Sequence, residues 1–158
     1  MKSMFHFALV FAAGAALTAG ARADESDPAT GTWKLNVAKS KFSPGPGPKS
    51  ITLKIEASAD EQKVTAEGVY ADGKSNTIEY TAKFDGKDHP IKGSPVADTV
   101  SLKRIDDRTI ERTDKKDGKV VQTRTRVMSE DGKTFTVTMK GTNAKGQQVH
   151  SVAVFEKQ

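Results

Sequence analysis

From Gly31 to the C-terminus, apolar and polar residues alternate with a period of two, and short turn clusters interrupt the alternation. Successive side chains of a strand point to opposite faces, so this pattern predicts half-buried β-strands. Ten are expected: Thr32–Val37, Ser50–Ala57, Lys63–Tyr70, Asn76–Phe84, a short Pro90–Lys92, Thr99–Ile105, Arg108–Thr113, Lys119–Met128, Thr134–Lys140 and Gln148–Glu156. Their supply of Val, Ile, Thr, Tyr and Phe suits a pleated surface. No segment carries an amphipathic helical stripe of useful length.

Asp72-Gly73, Asp85-Gly86, Asp117-Gly118 and Asp131-Gly132 each stand between two alternating runs. Asp-Gly tolerates the positive φ angles that match the natural twist of paired strands, so each reads as a tight hairpin. Asp106-Asp107 and Lys145-Gly146 supply two more turns. Ser43-Pro44-Gly45-Pro46-Gly47-Pro48 cannot form regular structure and reads as an extended connection after the first strand. Sequential hairpins give an antiparallel meander, and closure into a barrel removes the exposed edges. The expected fold is therefore all-β, a single up-and-down antiparallel barrel of about ten strands.

The faces say what lies inside. Trp33, Leu35 and Val37 share a face, as do Ile51, Leu53 and Ile55, then Ile78, Tyr80, Ala82 and Phe84, then Phe135, Val137 and Met139. The opposite faces carry Lys34, Lys54, Glu56, Glu79, Lys83 and Lys140 among threonines. An outer-membrane barrel needs an apolar outer band, so a water-soluble barrel with an apolar interior is expected, without stable membrane insertion.

Composition adds the compartment. Met1–Ala23 joins a basic Lys2, an apolar run from Phe5 to Ala19 and an Ala21-Arg22-Ala23 cleavage pattern, the three parts of a secretory signal peptide. Residues 24–30 then form an N-terminal tail and 31–158 the barrel. The apolar run is short for a membrane span, and the absence of cysteine removes lipoprotein acylation, disulfides and thiolate metal sites. A periplasmic or secreted protein is expected. The formal charge of +5 shrinks by two once Lys2 and Arg22 leave with the leader, which weakens any electrostatic case for a nucleic-acid partner.

Gly31-Thr32-Trp33-Lys34-Leu35 resembles the G-x-W motif of the calycins, the superfamily of lipocalins and fatty-acid-binding proteins, and Val154-Phe155-Glu156-Lys157 resembles the aromatic-Glu-Lys ending of the fatty-acid-binding branch. More specifically, the GTWKLN opening, the Pro-rich linker and the Asp-Gly hairpins are similar to a widespread group of exported bacterial lipocalin-like proteins. The resemblance implies that Trp33 closes one end of the barrel. It also marks two departures. Asn36 to Ser50 leaves no room for the helix-turn-helix lid of the fatty-acid-binding branch. Its carboxylate-reading Arg-x-Tyr is matched here by Ala153, Val154 and Phe155.

Candidate chemistry is sparse. Arg112 shares a face with Ile110, and the next strand carries Thr123 and Thr125 on the face of Val121 and Val127. A guanidinium turned inward needs a carboxylate, phosphate or hydroxyl partner, which a ligand could supply; the alternative is a pairing with Asp114 or Glu111 in water. Arg124 and Arg126 are expected on a solvated face. Tyr70 and Tyr80 lie on apolar faces, either presenting hydroxyls to a cavity or packing their rings. His89 and His150 lack metal-ligand spacing, no Gly-rich loop precedes a helix to cradle phosphate, and the aromatics face inward rather than standing among exposed basic residues. No enzyme activity, metal, cofactor or nucleic acid is expected. The expected function is carriage or sensing of a small, mostly apolar molecule, with Tyr70, Tyr80, Arg112, Thr123 and Thr125 as ligand-binding candidates. The alternative is a filled barrel acting as an envelope interaction or inhibitor module.

Overall fold

The computed structural model describes residues 27–158, and the expected leader Met1–Ala23 lies outside the described residues. The strands are β1 (Gly31–Lys41), β2 (Ser50–Ala57), β3 (Glu61–Val69), β4 (Ser75–Lys83), β5 (His89–Lys92), β6 (Thr99–Arg104), β7 (Thr109–Lys116), β8 (Lys119–Met128), β9 (Thr134–Thr142) and β10 (Gln148–Lys157). Each pairs antiparallel with its neighbours in sequence, and β1 joins both β2 and β10 to close the barrel. All ten expected strands are present. Lys34, Lys54, Glu56, Glu79 and Lys83 stand exposed on the outside.

The first strand runs longer than its alternation suggests because it bulges. Its register with β10 jumps between the pairs Asn36↔Val154 and Lys41↔Val152. Ser40 holds the bulge: its hydroxyl donates to the Asn36 carbonyl at 2.6 Å and accepts from the Val154 N–H at 2.9 Å. The extra residues carry Val37 off the inner face expected for it, leaving it 48% exposed. The Pro-rich connection then crosses one end of the barrel, tied down by His150 N–H to the Ser43 carbonyl and Lys49 N–H to the Val69 carbonyl.

At the other end, Asp27 to Thr30 folds under the barrel rather than trailing away. The Thr30 N–H donates to the Asp27 carbonyl at 2.8 Å, the Arg104 guanidinium meets the Asp27 carboxylate at 2.8 Å, and Ala29 is buried. Trp33 lies against this plug with no exposed surface, and its indole N–H donates to the Ala29 carbonyl at 2.8 Å. Phe135 packs on the Trp33 ring at a centroid distance of 4.4 Å, and Phe155 stacks on Phe135 at 5.1 Å. Trp33 is thus positioned to close this floor.

One irregularity decides which residues of β8 face inward. The Asp117-Gly118 hairpin has positive φ at both residues, 50° and 77°, and pairs Lys116 with Lys119. Continued without interruption, that register would set Arg112 opposite Thr123. A bulge intervenes: Lys115 pairs with Val120 but Asp114 pairs with Gln122, so Val121 is the extra residue and Arg112 faces Arg124. A shift of one residue moves every later side chain to the other face. Thr123 and Thr125 are therefore exposed, while Gln122, Arg124, Arg126 and Met128 turn inward.

Gly141 of β9 makes room for this bulge. It pairs with Gln122 at φ +140°, and a Cβ there would lie 2.1 Å from the Val121 carbonyl oxygen and 2.7 Å from the Gln122 Cα. Both obstacles are backbone and cannot rotate aside. Gly141→Ala is expected to cost about 1–3 kcal/mol, the range for a side chain forced into a disallowed conformation, read as a lower urea midpoint. A loss below about 0.5 kcal/mol, the scatter of ordinary surface changes, would mean that the bulge does not depend on the glycine.

Candidate ligand cavity

The barrel is not filled. Inward side chains line a cavity of about 270 Å³, just below the range for small-molecule sites, about 300–1,000 Å³. Ile51 and Leu53 of β2, Val64 and Ala66 of β3, and Ile78 of β4 make one wall apolar. Phe135 and Phe155 form its floor above Trp33, and Phe42, Pro48 and Tyr70 line the end crossed by the Pro-rich connection. These walls follow from alternation alone, since each strand puts its aliphatic residues on one face.

The wall built by β7 and β8 differs. Arg112, Arg124 and Arg126 all line the cavity. Asp114, two residues along β7 from Arg112 and on the same face, has no exposed surface. Arg112 grips it with two parallel hydrogen bonds, Nε to Oδ1 at 2.6 Å and Nη2 to Oδ2 at 3.0 Å, the planar match that guanidinium and carboxylate favour. The Arg112 guanidinium also sits 4.7 Å from the Tyr80 ring centroid. Burial opposes the Arg112 charge, but Tyr80 and Asp114 together outweigh it and raise its pKa above the ordinary value.

Arg124 is held less firmly. Its Nη2 lies 3.5 Å from Asp114 Oδ2 and donates to the Gln122 side-chain oxygen at 3.0 Å, while its buried Nε has no hydrogen-bond partner among the described residues. Burial, reinforced by the neighbouring Arg112 charge, pushes its pKa down to about 10, which leaves it charged at neutral pH. Arg126 donates to the Gln62 side-chain oxygen at 3.2 Å and lies 5.5 Å from the Phe135 ring centroid. Burial lowers its pKa too. Among the described residues no carboxylate comes within ion-pair distance of Arg126. Gln62 completes the chain of contacts by donating to the Tyr80 hydroxyl at 2.9 Å.

The structure thus brings Arg112 and Tyr80 together, with Tyr80 buried, and places Tyr70 at the rim, 38% exposed. It separates Thr123 and Thr125 from them, and neither lines the cavity. Arg112 does pair with Asp114, but inside the barrel rather than in water, and Glu111 stays outside. Arg124 and Arg126, expected in solvent, are cavity residues. Parity with Ile110 and Arg112 could have located Asp114; nothing local marks the β8 bulge that turns Arg124 and Arg126 inward. Gln62 is legible in hindsight from its alternation with Val64 and Ala66. Ala153 and Phe155, at the positions of the Arg-x-Tyr, do line the cavity, as apolar residues. Among the described residues there is no group of three or more His, Asp or Glu side chains suited to a metal ion.

No family model matches the chain, and no curated protein does. Among solved structures, the chain is similar to the zebrafish ileal bile acid-binding protein crystallised with cholic acid, at 12% identity over 83% of this chain and 99% of that one, with a TM-score of 0.47.

Proposed function

We propose that this protein is a calycin-like carrier or sensor that encloses one small, mostly apolar molecule inside its barrel. The observation that carries the reading is the unfilled interior: about 270 Å³ bounded on three sides by aliphatic and aromatic side chains. A well-packed core leaves few voids larger than a water molecule, and burying apolar area in such a space contributes roughly 25 cal/mol per Å². A barrel filled by its own side chains, the basis of an interaction-module reading, would have no such space. The leader-like pattern of Met1–Ala23 supports a reading of export to the periplasm or beyond.

A neutral apolar fluorophore, N-phenyl-1-naphthylamine, tests this on protein prepared without detergent. Saturable binding at one per barrel is expected, with an emission shift to the blue. Ala66 lies on the apolar wall, so Ala66→Phe fills the cavity and should weaken binding by about tenfold or more, while circular dichroism still reports the barrel. Overpacking costs about 1–3 kcal/mol of stability, which the same spectra would register as a lower melting temperature. Unsaturable binding, or binding that ignores Ala66→Phe in a folded protein, places the fluorophore on the surface and overturns the reading.

A further inference from the structure

We infer that the β7–β8 wall is an oxyanion-recognition site, and that the enclosed molecule is an amphipathic anion with an apolar body and a single carboxylate, sulfate or phosphate head. The inference rests on the preceding reading that the cavity holds a small molecule, and it names the chemistry of that molecule.

The argument is one of unmatched charge. Three guanidiniums line the cavity, and the one buried carboxylate beside them, Asp114, reaches only two, Arg112 and Arg124. Charges turned into an interior are ordinarily paired and hydrogen-bonded, because an unpaired one gives up hydration without compensation. Asp114 answers Arg112 with two short bonds and has only a 3.5 Å contact left for Arg124. Arg126 has a neutral amide oxygen and an aromatic face, and Arg124 keeps a buried N–H without an acceptor among the described residues. Ile110 gives this wall one aliphatic side chain, but among the described residues no second carboxylate comes within ion-pair distance of Arg124 or Arg126.

Geometry gives the unmatched charge a direction. Arg124 and Arg126 are two residues apart on one strand, so their stems leave the same face of β8 about 6–7 Å from each other. Both border the cavity, across from the apolar wall of Ile51, Leu53 and Ala66. An oxyanion against β8 can accept from both guanidiniums while its apolar body lies on the aliphatic side. A cationic head meets repulsion here, and a neutral molecule leaves the guanidiniums as they stand. Asp114 acts as a positioning residue: by holding Arg112 against β7 it leaves the two β8 arginines for the ligand. Low polarity around the site strengthens each charge-assisted bond relative to water.

Decanoate, decyl sulfate and decyl phosphate, compared with 1-decanol by displacement of the neutral fluorophore, form the test. At least one anion is expected to bind tenfold or more tightly than decanol, the worth of one charge-assisted hydrogen bond, and which one does so identifies the head. Arg126→Met should abolish that preference. Among the described residues Arg126 has no carboxylate partner, so its removal strands no described buried charge, and melting curves check that the variant is folded. Thr125→Val, on the outer face of the same strand, should keep the preference. Equal or tighter binding of decanol, or a preference that survives Arg126→Met, overturns the oxyanion site while the apolar cavity stands. Failure of the fluorophore and all four chains to bind overturns both.

Discussion

Asp114→Ala is expected to destabilise the protein by about 3–5 kcal/mol, the cost of removing one partner from a buried ion pair. The expectation follows from position. Asp114 has no exposed surface and is the carboxylate that both Arg112 and Arg124 approach. Without it two guanidiniums face each other across paired strands, Arg112 opposite Arg124, with nothing between them of opposite sign. Asp114→Asn keeps the shape and an acceptor oxygen but not the charge, and should fall between wild type and alanine. Chemical denaturation of the three proteins at neutral pH measures both steps. A cost for Asp114→Ala within about 1 kcal/mol, the value of an exposed pair, would show that water reaches the cluster and that the wall is not a desolvated charge site. The same variant bears on binding in the opposite sense: it frees Arg112, so a folded Asp114→Ala protein should hold an anionic chain more tightly.

Trp33→Ala is expected to cost a similar amount, about 3–5 kcal/mol, for a different reason. The indole is fully enclosed, and its removal leaves a void beneath Phe135 that the rigid floor cannot collapse to fill. It also strands the Ala29 carbonyl that the indole N–H satisfies. Trp33→Phe separates these contributions. It restores most of the apolar area but not the donor, so it should recover most of the loss and leave a deficit of about 1–2 kcal/mol for the unmade hydrogen bond. If Trp33→Phe is as damaging as alanine, the hydrogen bond to the plug matters more than the packing. Should Trp33→Ala be nearly neutral, the floor is held by Phe135 and Phe155 without it.

The strands were legible because each carries a strong local signal. Ile51, Leu53 and Ile55 alternate with Thr52, Lys54 and Glu56, and the structure keeps that division. The Asp-Gly pairs mark real hairpins, although only Asp117-Gly118 uses positive φ at both residues. At Asp72-Gly73 and Asp131-Gly132 the aspartate instead accepts a backbone hydrogen bond two residues on, from Lys74 and Lys133, and only the glycine is left-handed. One residue pair thus makes the turn by two different physical routes. Arg112 and Tyr80 were also readable as inward residues, because their strands obey simple parity.

The β8 segment departs from its own parity for a reason that lies in the neighbouring strand. Val121 and Val127 look like the buried residues of Lys119–Met128, yet Val127 is 44% exposed. Met128, Arg126 and Arg124 turn inward because they pair with Phe135, Val137 and Met139 of β9. The hydrophobic pattern of the neighbouring strand outweighs that of β8 itself, since burying three apolar β9 residues fixes the face that their partners share.

Sequence alone, then, determined what depends on near neighbours: ten alternating strands, the turns between them, the antiparallel order and the aliphatic walls. These follow from the two-residue period of the strand and the backbone preferences of Asp, Gly and Pro, which act within a few residues. The tertiary structure decided what depends on register between strands. One extra residue at Val121, accommodated by a glycine at position 141, carries Arg124 and Arg126 from the solvent face into the cavity. Whether the interior closes on itself or keeps room for a guest was decided at the same level, because a barrel's free volume is the sum of every inward side chain and belongs to none of them.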